Sequence, residues 1–235
     1  MEYSSEFERD FDILMRKYTV DMMKCETAYI LESMQYEMMY EDGEENTEMP
    51  KSKIGNALQT MIQKMRKLLR DLGEMFHDMF GKNSGELTID DFKNSDLGKI
   101  QLEYDLDNVQ AIIDNEMAEG RRLVKLIARG KNVEPREAAA WVDSIKAKLH
   151  AAAPTAQGAL NATSCYAFTK LFSKRSKHMD DTLKMMQDDF KSIDANQDTI
   201  GKLRSGFSLL LTTFTKISGN IFSAIGTYKK HKNDK

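Results

Sequence analysis

Apolar residues return every three or four positions along most of this chain, the spacing that gathers them on one face of an α-helix. The clearest run covers residues 54–80. There Ile54, Leu58, Met61, Met65, Leu68, Leu72, Met75 and Met79 are separated by steps of 4 and 3 in strict alternation. Ile62, Leu69, Phe76 and Phe80 widen this seam beyond what a two-stranded coil needs, so the helix is predicted to meet at least two neighbours. The pattern returns near the end of the chain in Ile200, Leu203, Phe207, Leu210, Phe214, Ile217, Ile221, Ile225 and Tyr228.

The rest of the chain reads as helix and punctuation. Ser5 with Glu8 forms a capping box, and Phe7, Phe11, Leu14, Tyr18, Met22, Cys25 and Tyr29 follow at helical spacing as far as about Tyr40. "EDGEENTEMPKSK" is acidic and aperiodic and predicts an exposed linker. Gly81 closes the 54–80 helix, and Thr88 with Asp91 gives a second capping box. Ser95 offers a further start, from which Leu97, Ile100, Tyr104, Val109, Ile112, Ile113, Leu123, Leu126 and Ile127 predict one third helix ending near Gly130. Asn132, with Pro135 in the first turn, opens a fourth helix through Trp141, Ile145 and Leu149 to Pro154. Thr155 caps a fifth, carrying Leu160, Phe168, Leu171, Phe172, Leu183, Met186 and Phe190. No stretch alternates with the period of a strand, no Asn-Gly or Asp-Gly hairpin turn occurs, and no repeat is found. The expectation is an all-α, elongated bundle of about six helices with coiled-coil-like packing. It divides into an acidic N-terminal helix (1–42), an acidic linker (43–52), a basic amphipathic helix plus the third helix (53–130) and a C-terminal helical region (131–235).

Composition sharpens this picture in two places. Sixteen methionines suit adaptable helical interfaces, although a compositional bias of the source genome would produce the same count. The net charge of −3 conceals opposite blocks: −10 over residues 1–50, +4 over 51–82 and +6 over 202–235. Such blocks attract within a fold or between copies, and salt weakens the attraction. The N-terminus, MEYSSEFERD, is acidic and has no apolar core, which predicts no secretory signal and a cytoplasmic place of synthesis. Cys25 and Cys165, far apart and without CxxC spacing, read as reduced structural cysteines.

Candidate chemistry is sparse. Glu74-x-x-His77 has the spacing of di-iron carboxylate bundles, but such a site needs a second copy of the motif and two more inward carboxylates. His77 also falls between seam positions, with Asp71, Glu74 and Asp78, on a face expected to be solvated. "DANQDTIGKLRS" puts Asp194, Asn196 and Asp198 at the first, third and fifth positions of a calcium loop. It then has Thr199 where glycine must turn and Ser205 where a bidentate glutamate belongs. An Asx turn between helices accounts for it better. The doublets Asp90/Asp91, Asp180/Asp181 and Asp188/Asp189 diverge around a helix and cannot pair as acid and base. No GxGxxG, GxxxxGK[ST], GxSxG or HExxH occurs, so neither an enzyme nor a cofactor is expected.

Two binding readings remain. Arg121, Lys125 and Arg129 share a helix face and could contact phosphate, yet the pI near 5.9 and the lack of a reading module disfavour nucleic acid as a partner. Residues 205–228 hold one charge, Lys216, over a length able to span a bilayer, but only 11 of these 24 residues are apolar. Phe207, Leu210, Phe214, Ile217, Ile221 and Ile225 therefore line either a bundle helix or a helix that lies on or inserts into a membrane.

The acidic "FERDFDILMRKYTVDMMKCETAYILESM", the linker and the basic "IGNALQTMIQKMRKLL" resemble, in layout over about residues 5–80, small helical structural proteins of tailed bacteriophages. The resemblance implies a non-enzymatic, multi-copy virion component, internal to the head or involved in ejection. The expected function is thus helical assembly, with itself or other structural proteins as partners. The alternative is a membrane-active protein that inserts helices 54–80 and 200–228.

Overall fold

The structure, a computed structural model, describes residues 51–80, 87–100, 102, 104–152, 160–189 and 196–233. The predicted helix ahead of residue 43, the predicted linker as far as residue 50, Cys25, and the predicted caps Gly81 and Thr155 lie outside them. Among the described residues there are six α-helices and no strand. They are α1 (Lys51–Phe80), α2 (Ile89–Lys93), α3 (Leu106–Ala128), α4 (Pro135–Ala151), α5 (Ala162–Asp189) and α6 (Gln197–Asn233), with a 3₁₀ turn at Asp96–Lys99. The all-α multi-helix bundle is what the periodicity predicts.

Local chemistry sets the boundaries. The Thr88–Asp91 capping box forms as expected: the Asp91 carboxylate accepts from the Thr88 N–H at 2.8 Å, and the Thr88 hydroxyl oxygen accepts from the Asp91 N–H. Burial raises the affinity of Asp91 for a proton, but the two Thr88 hydrogen bonds and Lys232 outweigh it and hold the carboxyl below its ordinary range. The predicted single helix from Ser95 to Gly130 is corrected. Asn94 caps α2, Ser95 turns its hydroxyl back to the Phe92 carbonyl at 2.7 Å, and one 3₁₀ turn follows. A new helix then starts behind Asp105, whose carboxylate accepts from the N–H groups of Asp107 (2.9 Å) and Asn108 (3.1 Å). Polar side chains that bond their own backbone have broken the periodic stretch.

The close of α3 near Gly130 matches expectation. Gly130 sits at φ +70°, its N–H bonds the Ile127 carbonyl, and the Lys131 N–H reaches Leu126, the pairing of a Schellman motif. Two further starts are corrected. α4 begins at Pro135 itself, not at Asn132, because the ring fixes the first helical φ and lacks the N–H that would go unpaired. α5 begins at Ala162, where the Asn161 side chain accepts from Thr163 N–H at 2.9 Å. Lys51 and Ser52, predicted as linker, already belong to α1.

α6 is the centre of the bundle, in contact with all five other helices and the 3₁₀ turn. Its ridge of Phe207, Leu210, Phe214, Ile217, Ile221 and Ile225 is buried throughout. α1 packs on α5 and α6, which answers to the two neighbours its wide stripe predicts. Where those helices meet, Phe76, Phe172 and Phe222 interlock, with ring centroids 4.7 Å apart for Phe76–Phe172 and 5.0 Å for Phe172–Phe222. Elsewhere the Trp141 ring of α4 is held between Gly120 of α3 and Gly206 of α6.

Candidate functional site

Charged side chains fasten the helices in pairs. Arg66 of α1 forks onto Asp180 of α5 at 2.6 and 3.1 Å and reaches Gln187 at 3.0 Å. Arg175 of α5 forks onto Asp114 of α3 at 2.8 and 2.7 Å and reaches Gln110 at 3.2 Å. Arg122 of α3 grips Glu119 in its own helix and Glu137 of α4, and Lys148 of α4 meets the buried Glu116 of α3. Lys232 of α6 reaches Asp91 of α2 at 3.4 Å, so the capping carboxylate also anchors the far end of α6. A planar guanidinium satisfied at two oxygens fixes distance and rotation together, which sets how α5 lies against α1 and α3.

The sequence-derived candidates separate once placed. Of the 54–80 seam, Met65, Leu68 and Leu72 are buried and Met75 and Met79 half-buried, inside the chain's own bundle. The side chains of Ile54, Leu58 and Met61 fall outside the described set. Of the face expected to be solvated, Glu74, His77 and Asp78 are exposed, while Asp71 is half-buried. The calcium-like stretch is put to structural use: Asn196 accepts from the Asp198 N–H at 2.9 Å in an Asx turn, and Thr199 is buried with its hydroxyl on the Val133 carbonyl. Among the described residues no group of three or more His, Cys, Asp or Glu converges as a metal site would need. Cys165 is a free thiol, pushed up to about 12 first by burial and then by Asp107. Among the described residues no helix is long and apolar enough to cross a membrane.

The proposed phosphate row does not stay together. Lys125 and Arg129 are exposed, and Arg129 ends α3, but Arg121 turns toward α5. Its Nη1 lies 2.7 Å from Nδ1 and 3.2 Å from Nε2 of His178. Arginine can only donate, so the ring nitrogen facing it accepts and the imidazole is neutral. The same neighbourhood keeps it so: partial burial, then Arg121, then Lys125 and Lys174 push His178 below its ordinary value, opposed only by Asp181. A His178 ring titrated by NMR is expected to protonate below pH 6.5, its ordinary value. Since the unfolded chain takes up that proton first, stability is full above that value and declines as the pH falls below it. His178→Gln should flatten that part of the stability–pH curve.

Beside this pair α3 and α5 leave a groove of about 320 Å³, lined by Ile113, Met117, Leu171 and Met179 with Lys174, His178 and the Arg175–Asp114 pair. Leu171, grouped with the apolar positions of its helix by spacing, is 41% exposed here. Periodicity did not show the groove, because it arises where two helices diverge. The buried Arg175, only 8% exposed, was likewise hidden, because it stands in the dense basic run "KLFSKRSKH" (Lys170, Lys174, Arg175, Lys177), whose composition alone reads as a solvated helix face. No family model, no curated protein and no solved structure matches the chain.

Proposed function

We propose that this chain is a non-enzymatic helical assembly protein whose copies associate through charge, as a multi-copy virion component would. The observation that carries the reading is where its surfaces have gone. The described parts of both apolar ridges lie inside the bundle, so among the described residues the faces left for partners are mostly polar and charged. Charge is also segregated along the chain, −10 over residues 1–50 against +7 over residues 51–235. Copies with blocks of opposite sign attract at low ionic strength, and the attraction fades once the Debye length shrinks from about 10 Å at 0.1 M salt to about 3 Å at 1 M.

Light scattering over a concentration and salt series tests this. Mass should rise with concentration at low salt and return to that of the monomer at high salt; a monomer under every condition overturns the reading. The membrane-active alternative asks more of the molecule. α6 would have to withdraw Phe207, Leu210, Phe214, Ile217, Ile221 and Ile225 from the centre of the bundle and leave all five other helices with bare apolar faces. Dye release from anionic vesicles at neutral pH would favour that alternative, and none is expected.

A further inference from the structure

The α3–α5 groove joins apolar walls to unneutralised positive charge. Leu171 alone would mean little, since single exposed leucines are ordinary on soluble proteins. Here it borders the same groove as Met117 and Met179, whose flexible thioethers adapt to the shape of an alkyl chain. Around them the charges do not cancel. Arg175 is matched by Asp114, but no described carboxylate pairs with Lys174 or Lys125, and Asp181 is the one acidic group acting on His178. Behind His178 the Arg121 guanidinium, bonded to the ring at 2.7 Å, adds a further positive charge next to the groove.

We propose that this groove binds a soluble single-chain anionic amphiphile, such as a fatty acid. The alkyl chain lies along Met117, Leu171 and Met179, and the acidic head sits between Lys174 and His178, with Arg121 behind the His178 ring. A groove of about 320 Å³ is at the small end of ligand sites. Leu171 is the only large hydrophobic side chain recorded as exposed among the described residues, so there is no broad apolar face here for a protein partner or a bilayer. Charge and size thus select a small amphiphile, independently of whether the protein assembles.

Titration calorimetry on the full chain tests the assignment, with dodecanoate held below its micelle concentration. Dodecyl maltoside, inorganic phosphate and anionic phospholipid vesicles serve as comparisons. Saturable one-to-one binding of dodecanoate is expected, with a shift of the His178 ring resonances. Lys174→Glu and Leu171→Glu change exposed side chains, leave the fold intact and should each weaken binding by about tenfold or more. Lys67→Glu, an exposed cation on α1, should leave it unchanged. Unweakened, wild-type affinity in the two groove variants overturns the proposal. So does a neutral maltoside or bare phosphate that binds as tightly, or binding seen only with vesicles.

Discussion

A chain carrying Asp at both Leu68 and Leu72 will fail to fold. Leu72 is fully buried and Leu68 is 5% exposed, where α1 lies against the rest of its own bundle. Each substitution forfeits about 1.5–3 kcal/mol of leucine burial. It also leaves an unpaired carboxylate in an apolar setting, where the penalty is several kcal/mol even after relaxation. Two such sites together exceed much of the 5–15 kcal/mol that separates a typical domain from its unfolded state. Far-ultraviolet circular dichroism should show the helical signal of the bundle lost at ordinary temperature. Lys67→Asp, one residue away on the exposed side, should change stability by no more than about 0.5 kcal/mol. Were the ridge instead a docking face for another molecule, the double variant would stay helical and lose only association.

The second large effect comes from the smallest side chains. A Cβ at Gly120 would stand 2.5 Å from Trp141 Cζ2 and 2.8 Å from Phe207 Cζ. At Gly206 it would press still more closely on Trp141 Cζ3, with Cη2 at 2.6 Å. The obstacle is a rigid indole ring gripped from both sides, so it cannot swing away as a lysine or methionine tip would. Gly206→Ala and Gly120→Ala should each destabilise by about 1–3 kcal/mol or more in denaturant unfolding, since overpacking a filled core forces backbone shifts. The opposite sign is expected where space is open. Gly73, Gly201 and Gly219 would meet nothing within 4 Å, so alanine there should add about 0.5–1 kcal/mol. Shortening the obstacle provides the internal check: in a Trp141→Leu background Gly206→Ala should lose most of its cost, a coupling that a double-mutant cycle measures directly.

How much of this was readable in advance follows from what periodicity can and cannot encode. The 3–4 spacing of Met65, Leu68 and Leu72 names a helix and its buried face, because only one side of a helix can be withdrawn from water. It cannot name the partner, since a core and an interface require the same stripe. The structure supplies α5 and α6 of the same chain. Thr88 and Asp91 were legible as a cap because their bonds are local. The division between α2 and α3 was less so: Leu97, Ile100 and Tyr104 keep steps of 3 and 4 within it, while Ser95 and Asp105 break the helix through hydrogen bonds to the local backbone. Arg175 and Leu171 mark the limit. One is charged and buried, the other apolar and exposed, and both outcomes depend on how α5 meets α3, which lies in their crossing and not in either segment.

The place of α6 in the order of synthesis has its own consequence. Helices α1 to α5 leave the ribosome before the element that all of them contact has been made. At about 5–20 residues per second the 37 residues of α6 take several seconds at the slow end of that range, and until they emerge the earlier helices have only one another to pack on and the sides that face α6 stay bare. Completion of the core therefore waits for translation to pass α6. A nascent chain stalled before it would be a ready client for the chaperones that shield apolar surface.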